Sequence, residues 1–156
     1  MSSSACEDRR ADKAYVRGDY GKALRDLEFL ANGGEPRAQY DLGLMYDRGD
    51  GVPQNDAKAR YWYERAAEQG EPRAQYNLGL MYLNGQGMSE DPVMAYYWIS
   101  LSANRGNVRA RDARDYVAER LSTEQFAAAN GRIKGFEEQA AKTKACVFCN
   151  PENRSY

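Results

Sequence analysis

The stretch Pro36-Arg-Ala-Gln-Tyr-Asp-Leu-Gly-Leu-Met-Tyr46 decides the fold, because it returns 36 residues later as Pro72-Arg-Ala-Gln-Tyr-Asn-Leu-Gly-Leu-Met-Tyr82. When residues 36–71 are aligned with residues 72–107, 17 of the 36 positions are identical. Self-similarity at a fixed period of roughly 20 to 50 residues is typical of proteins built from stacked structural units. We therefore expect the middle of the chain to form two such units.

Each unit predicts a pair of helices. Pro36 stands at the first position of the first helix, where its missing N–H costs nothing, and apolar residues follow it at helical spacing. The glycines of Gly49-Asp-Gly51 adopt a left-handed conformation easily and are expected to end that helix. The second helix is expected from about Asn55 to Gln69, with Gly70 just after its end.

Two glycines inside the predicted first helices indicate where helices approach each other. Gly43 and Gly79 each cost about 1 kcal/mol relative to alanine in a helix. Their recurrence at one register predicts a close approach, with Ala59 and Ala95 as the small partners. Four aromatic residues recur at registers that we interpret as core positions: Tyr46, Tyr82, Trp62 and Trp98.

The flanking segments follow the repeat less closely. Residues 8–35 predict a degenerate first helical pair, and residues 108–143 predict a decayed cap of the kind that a helical stack needs at its end. Residues 1–7 are predicted to be a flexible N-terminal segment. Residues 144–156 show no periodicity and are predicted to be a mobile C-terminal tail.

The last predicted helix has a clear beginning. Ser122-Thr-Glu-Gln125 is a capping box, in which the first and fourth side chains each bond to the other's backbone N–H. Gly131 and Gly135 follow within the same helix. Because glycine lowers helix stability, we expect this helix to be weakened at those positions.

The composition excludes several classes of protein. The 156 residues carry 22 Lys and Arg against 23 Asp and Glu, so the net charge is −1, and there is no histidine. A nearly neutral chain lacks the basic surface of a nucleic-acid binder. The absence of histidine excludes Ser-His-Asp catalysis and imidazole metal ligands. No run of 18 apolar residues occurs, so we expect no membrane insertion, and no motif indicates a cofactor.

The repeated residues resemble Sel1-like repeats, a branch of the tetratricopeptide superfamily. The family's pattern of Ala, Leu-Gly, Tyr, Gly-x-Gly, Ala, Trp, Ala-Ala and Gly is met by Ala38, Leu42-Gly43, Tyr46, Gly49-Asp-Gly51, Ala59, Trp62, Ala66-Ala67 and Gly70. The second unit departs from the pattern at Ser102. The resemblance implies an all-α fold, a right-handed α-solenoid of antiparallel helical pairs with C-terminal capping helices, as one domain over residues 8–143.

A candidate binding surface follows from the register of three arginines. Arg37, Arg73 and Arg109 are spaced by 36 residues. Arginine offers a two-pronged donor to carboxylates, and tyrosine adds apolar area with a polar tip. The resemblance implies that their positions line the concave groove in which the family usually holds a peptide. The complete predicted set is Arg37, Tyr40, Leu44, Asp47, Arg48, Arg73, Tyr76, Leu80, Leu83, Asn84 and Arg109.

Two of these patterns have a purely structural interpretation as well. The arginines would then only pair with Glu35, Asp41 or Asp112 across solvent, which contributes about 0–1 kcal/mol. The loops Gly49-x-Gly51 and Gly85-x-Gly87 are interpreted as helix connections. Neither completes a nucleotide-binding motif, so we do not expect them to hold phosphate.

The three cysteines lie near the two ends of the chain. Cys146 and Cys149 form Cys-Val-Phe-Cys, and Cys6 stands alone. A closed zinc site needs about four ligands, so three cysteines without histidine do not favour one. In a reducing compartment we expect the cysteines to be free thiols. After export, they could form a Cys146–Cys149 disulfide or a link from Cys6 to the tail. As written, the chain is expected in the cytoplasm; it would be periplasmic or secreted if Met1 replaces a removed signal peptide.

We interpret the chain as a non-catalytic, monomeric adaptor that binds a peptide or protein segment, acidic by preference, in the groove. Two alternatives stay open. One is a small hydrolase or β-lactam-binding protein like a cysteine-rich bacterial branch of the family, and the other is a structural spacer in an envelope or secretion complex. That branch carries a cysteine pair in each repeat, whereas no cysteine lies between Ala11 and Ala145 here.

Overall fold

The computed structural model describes residues 20–148, and every regular element in that range is a helix. The elements are α1 (Tyr20–Asn32), α2 (Pro36–Arg48), α3 (Asp56–Glu68), α4 (Pro72–Asn84), α5 (Pro92–Asn104), α6 (Val108–Ala118) and α7 (Thr123–Phe148). Successive helices from α1 to α6 pack on one another, and α7 packs back on α5. The all-α solenoid predicted from the sequence is confirmed.

The helices pair as the repeat predicts. Helices α2 and α3 form the first repeat and α4 and α5 the second, while α6 and α7, which both pack on α5, lie in the segment predicted to be the cap. Helix α1 lies within residues 8–35, for which the sequence predicts a degenerate helical pair. Residues 1–19, which include the predicted N-terminal segment and the first part of that pair, lie outside the described residues. None of α1–α7 combines the length and the apolar character needed to cross a bilayer.

Two clusters of buried side chains hold the stack together. The smaller cluster joins α1 to α2 through Leu27, Leu30, Ala31, Ala38, Leu42 and Met45. The larger cluster extends from α3 to α7 around Tyr63, Leu78, Met81, Ile99 and Leu101. Of the predicted core aromatics, Trp98 is buried, and the other three pack half-buried against the clusters. Each fully buried Leu or Met contributes about 1.5–3 kcal/mol, so these clusters supply most of the stability.

The two repeats end their first helices in the same way. Gly49 and Gly85 adopt left-handed conformations, with φ of 74° and 64°. Their N–H groups donate to the carbonyl oxygens of Met45 and Met81 and satisfy the last turn of each helix. A side chain at either glycine would be strained, which explains why both repeats carry glycine at this register.

Close approach at the mid-helix glycines is confirmed, but the tightest neighbour is not the predicted one. A Cβ on Gly43 would lie 2.7 Å from Cδ1 of Tyr63, and a Cβ on Gly79 would lie 2.5 Å from Cγ1 of Ile99. The backbone carbonyl oxygen of Ala59 would be 3.3 Å from the Gly43 Cβ, and that of Ala95 occupies the same place in the second repeat. The small residues therefore let the backbones meet, and the residue one turn further along fills the gap.

Helix α7 begins at the predicted capping box and ends later than expected. The Ser122 N–H donates to Oε1 of Gln125 at 3.0 Å, and the Gln125 N–H donates to Oγ of Ser122 at 3.2 Å. The helix is 26 residues long and continues through Gly131 and Gly135 to Phe148, past residue 144, where the tail is predicted to begin. The extension is Lys144-Ala-Cys-Val-Phe148. Its first two residues have high helix propensity, which favours continuation of the helix without apolar periodicity.

Candidate functional site

A groove crosses the first helices of both repeats and the start of the cap. Its cavity volume is about 420 Å³. The lining residues are Tyr40, Leu44, Arg48, Pro72, Arg73, Tyr76, Asn77, Arg105, Gly106, Asn107 and Arg109. We call this surface the groove. It is built mainly from α2 and α4, whose opposite faces are buried in the two core clusters.

Six of the predicted binding residues line the groove. Tyr40, Leu44 and Arg48 are spaced by four residues along α2 and therefore share one face of that helix. Arg73 and Tyr76 lie in the first turns of α4, and Arg109 lies in the first turn of α6. The structure thus brings together residues that are up to 69 positions apart in the sequence, from Tyr40 to Arg109.

The other five predicted residues are not among those that line the groove: Arg37, Asp47, Leu80, Leu83 and Asn84. The Asp47 carboxylate accepts hydrogen bonds from the Tyr63 hydroxyl at 3.1 Å and from Nε2 of Gln86 at 2.9 Å. Leu83 packs against the larger core cluster. Asp47 therefore contacts the next repeat through Gln86, and Leu83 contributes to the core instead of the groove.

The prediction missed the polar residues at the groove's edges. Asn77 follows Tyr76 on α4, and Arg105 and Asn107 belong to the connection between α5 and α6. A signal for Arg105 exists in the sequence, because it replaces Gln69 of the first repeat at the same register. Arg105 and Asn107 lie between helices, where the helical register that predicts groove positions does not apply.

Arg73 is held in place by two neighbours. Its Nε donates to Oε1 of Glu71 at 2.8 Å, and its guanidinium lies 4.3 Å from the ring centroid of Tyr40. Burial raises the pKa of Tyr40, and the positive charge of Arg73 opposes that rise. Burial is the largest single influence and lowers the pKa of Arg73, but the hydrogen bond and negative charge of Glu71, together with the charge of Asp41, outweigh it and leave that pKa raised. Arg73 therefore forms part of the groove wall with its charge already paired.

The other arginines of the groove keep their charge available. Among residues 20–148, no carboxylate oxygen lies within 4.0 Å of Arg48 or Arg109. Arg105 donates from Nη1 to the Leu101 carbonyl oxygen at 3.2 Å, and its guanidinium lies 5.5 Å from the ring centroid of Phe136. The groove thus presents guanidinium groups beside tyrosine rings, a combination that suits an anionic ligand with apolar parts.

A polar chain ties the groove to the interface between the repeats. The Asn77 Nδ2 donates to the Tyr63 hydroxyl at 3.1 Å, and that hydroxyl donates on to Asp47. Burial, followed by the negative charge of Asp47, raises the pKa of Tyr63 far above its ordinary value. The hydroxyl therefore stays protonated, and its hydrogen bond holds the Asn77 side chain in place at the groove's edge.

A second cavity of about 550 Å³ lies between α3, α5 and α7. Tyr97, Trp98 and Phe136 line it and meet edge to face, with ring centroids 4.8 to 6.4 Å apart. The indole N–H of Trp98 is buried and finds no hydrogen-bond acceptor in the described part of the chain. Residues 20–148 also contain no group of three or more side chains that could hold a metal ion.

The three cysteines lie at or beyond the ends of the described residues. Cys146 belongs to the last turn of α7. Cys6 and Cys149 lie outside residues 20–148. The pairing and redox state of the three cysteines stay predictions.

Comparison with known proteins agrees with this geometry. The family model of the Sel1 repeat matches residues 36–71 and 72–107, the two units defined above. No curated protein matches the chain at a significant level. Sel1 repeats typically build protein-interaction scaffolds, and proteins of this kind are in general non-catalytic.

Two solved structures share the fold. One is c5321, a protective antigen present in uropathogenic Escherichia coli strains that displays an SLR fold, with 27% identity and a TM-score of 0.81. The match covers 88% of this chain but 30% of c5321, so this chain spans less than a third of that protein. The other is a Sel1 repeat protein from Oxalobacter formigenes, with 37% identity, a TM-score of 0.66 and coverage of 72% of this chain and 88% of the relative. The chain belongs to the Sel1 repeat family.

Proposed function

We propose that the chain is a non-catalytic adaptor that binds a peptide or protein segment in the groove. The observation that carries this proposal is the pair Arg48 and Arg109, which line the groove without a carboxylate partner among residues 20–148. Tyr40, Leu44 and Tyr76 lie between them and offer apolar surface. A segment with acidic and apolar side chains complements both features.

The groove is suited to a protein segment because it is preformed. Its lining side chains stand on α2, α4 and α6, which are fixed by the core clusters and by the Tyr63–Asn77 hydrogen bond. A rigid surface loses little conformational entropy when it binds, so more of the contact energy is available for affinity. Unpaired arginines also add electrostatic attraction, which accelerates encounter with an acidic partner.

A hydrolytic function has less support. The lining residues of the groove are Tyr, Leu, Arg, Pro, Asn and Gly, so it holds no serine or cysteine nucleophile and no carboxylate base. No observation favours the spacer alternative either. The adaptor is therefore the function that the site supports best.

Affinity capture from cell lysate tests the proposal. The variant Arg48→Glu/Arg109→Glu reverses both unpaired charges of the groove. The matched control Lys134→Glu/Lys142→Glu makes the same charge change on exposed positions of α7. We expect wild type and control to retain a common protein that the groove variant loses, with unchanged helicity and melting in all three. A partner held equally by all three variants, or no partner on wild type, would contradict the proposal.

A further inference from the structure

The three arginines that share one register have different surroundings. Arg37 lies 3.9 Å from the Asp41 carboxylate. Arg73 bonds to Glu71 at 2.8 Å. Arg109 has no carboxylate within 4.0 Å in the described chain. Of the three, Arg109 therefore leaves the most charge available for a ligand.

The sequence accounts for this difference. The position two residues before each arginine is Glu35, Glu71 and then Asn107. The position four residues after it is Asp41, Asn77 and then Ala113. At these two positions, Arg37 therefore has two carboxylates, Arg73 has one and Arg109 has none.

A further substitution adds positive charge at the same end. Gln69 of the first repeat is replaced by Arg105 at the equivalent position of the second, and Arg105 lines the groove. Asp112 occupies the repeat position of Tyr40 and Tyr76, and it is the one carboxylate of α6 at a groove register. Its oxygens lie beyond 4.0 Å from Arg109. We call the end formed by Arg105, Asn107 and Arg109 the α6 pole.

The opposite side of the groove has a different character. Tyr40 and Leu44 supply apolar surface there, and Arg48 is a single cation in the last turn of α2. Asp41 lies on the same helix, next to Tyr40 in the sequence. Arg105 and Arg109 therefore bring two positive charges to one end of a groove whose other end carries Tyr40 and Leu44, and no carboxylate of residues 20–148 lies within 4.0 Å of either arginine.

We infer that the groove is directional: a bound protein segment places its carboxylate-bearing end against the α6 pole and its apolar part against Tyr40 and Leu44. This inference rests on the proposed function and names the orientation of its ligand. The guanidinium forks of Arg105 and Arg109 match the two oxygens of a carboxylate. A chain terminus and an acidic side chain both supply that group, so the experiment separates these two sources.

The probe is the peptide acetyl-Leu-Tyr-Glu-Glu with a free C-terminus, titrated into the full-length ¹⁵N-labelled chain. We expect the largest backbone amide shifts at residues 105–109, with smaller shifts at Tyr40 and Leu44. The same peptide with an amidated C-terminus removes the terminal carboxylate. The peptide acetyl-Leu-Tyr-Gln-Gln with a free C-terminus removes the side-chain carboxylates. Whichever change weakens binding more identifies the carboxylate that the α6 pole holds.

Two matched variants supply the decisive comparison. Arg109→Gln is expected to weaken binding of the first peptide about tenfold, because it removes a charge-assisted hydrogen bond. Arg37→Gln makes the same change at the same register and is expected to alter affinity by less than about twofold, since its charge is already paired. Equal losses in the two variants, largest shifts at residues 35–41, or no shift at the highest soluble peptide concentration would overturn the inference.

These outcomes are independent of the test of the proposed function. A protein partner lost by the groove variant, with peptide shifts away from the α6 pole, would leave the adaptor function standing and remove the directionality. Peptide shifts at the α6 pole without any captured partner would leave the directionality standing and remove the adaptor function.

Discussion

The two complete repeats share their backbone but build their outward contacts differently. In the first repeat, Tyr63 donates to Asp47 and accepts from Asn77, so a polar chain crosses to the next unit. At the same registers, the second repeat has Ile99 and Leu83, and both pack in apolar surroundings. The comparison shows that identical glycine, alanine and leucine positions set the helix geometry, whereas the variable positions decide whether an interface is polar or apolar.

A second difference concerns one buried glutamine in each repeat. Gln39 donates to the Ala31 carbonyl oxygen, and its own oxygen accepts from Gln69 at 2.8 Å. Gln75 makes the equivalent bond to Ala67 at 3.1 Å, but its Oε1 is buried without a donor. The register of Gln69 is occupied by Arg105, whose guanidinium is turned to Leu101 and Phe136 instead. The second repeat therefore gives up one internal hydrogen bond and gains a cation at the groove.

The largest expected effect comes from filling the close contact between helices. Gly43→Ala places a Cβ 2.7 Å from the rigid ring of Tyr63, so the helices must separate. We expect the free energy of unfolding to fall by about 1–3 kcal/mol through overpacking. Gly131→Ala is the control, because no atom lies within 4 Å of its added Cβ, and it should stabilise by about 0.5–1 kcal/mol. Chemical denaturation measures both, and a neutral Gly43→Ala would refute the close contact.

Removal of one hydroxyl is expected to break the polar interface of the first repeat. Tyr63→Phe leaves Asp47 without its donor from Tyr63 and Asn77 without its acceptor. The unfolding free energy should fall by about 1–2 kcal/mol, because buried polar groups lose their partners. Tyr61→Phe on the exposed side of α3 is the matched variant and should change stability by less than about 0.5 kcal/mol. Equal melting temperatures for the two variants would show that the polar chain contributes nothing.

The smallest effect distinguishes the two buried glutamines. Gln39→Leu removes two hydrogen bonds, whereas Gln75→Leu removes one bond together with an unpaired buried oxygen. We expect Gln39→Leu to destabilise the chain by about 1 kcal/mol more than Gln75→Leu does. Urea denaturation of the two variants side by side measures the difference. A larger loss for Gln75→Leu would mean that its oxygen has a partner in solution.

Much of the fold follows from the sequence for an identifiable reason. Pro36 and Pro72 begin helices, Gly49 and Gly85 end them, and Ser122 opens the last helix, because each of these residues acts through its own local backbone. Local backbone effects of this kind can be predicted from a single sequence. The end of α7 at Phe148 lies beyond the predicted boundary because residues 144–148 show no apolar periodicity, the pattern on which the boundary rests.

Six of the eleven residues predicted to bind a partner line the groove, and whether any of the eleven binds one stays a prediction. A register repeated every 36 residues identifies one face of a helix but not how far that face extends around it. Asp47, which bonds to Gln86 of the next repeat, and Leu83, which packs against the larger core cluster, therefore belong to the predicted set without lining the groove. Arg105 and Asn107 lie in a connection, whose path depends on how α5 and α6 pack, and no periodicity describes that path.

The most direct test of the account is a photo-crosslink from inside the groove. A benzoylphenylalanine residue replaces Tyr76, which lines the groove, or Tyr61, which is exposed on α3, and the crosslinked products are mapped by mass spectrometry. The account predicts that position 76 attaches to an acidic segment of one partner protein and that position 61 does not. Crosslinking of the same partner from position 61 alone, or equally from both positions, would contradict it.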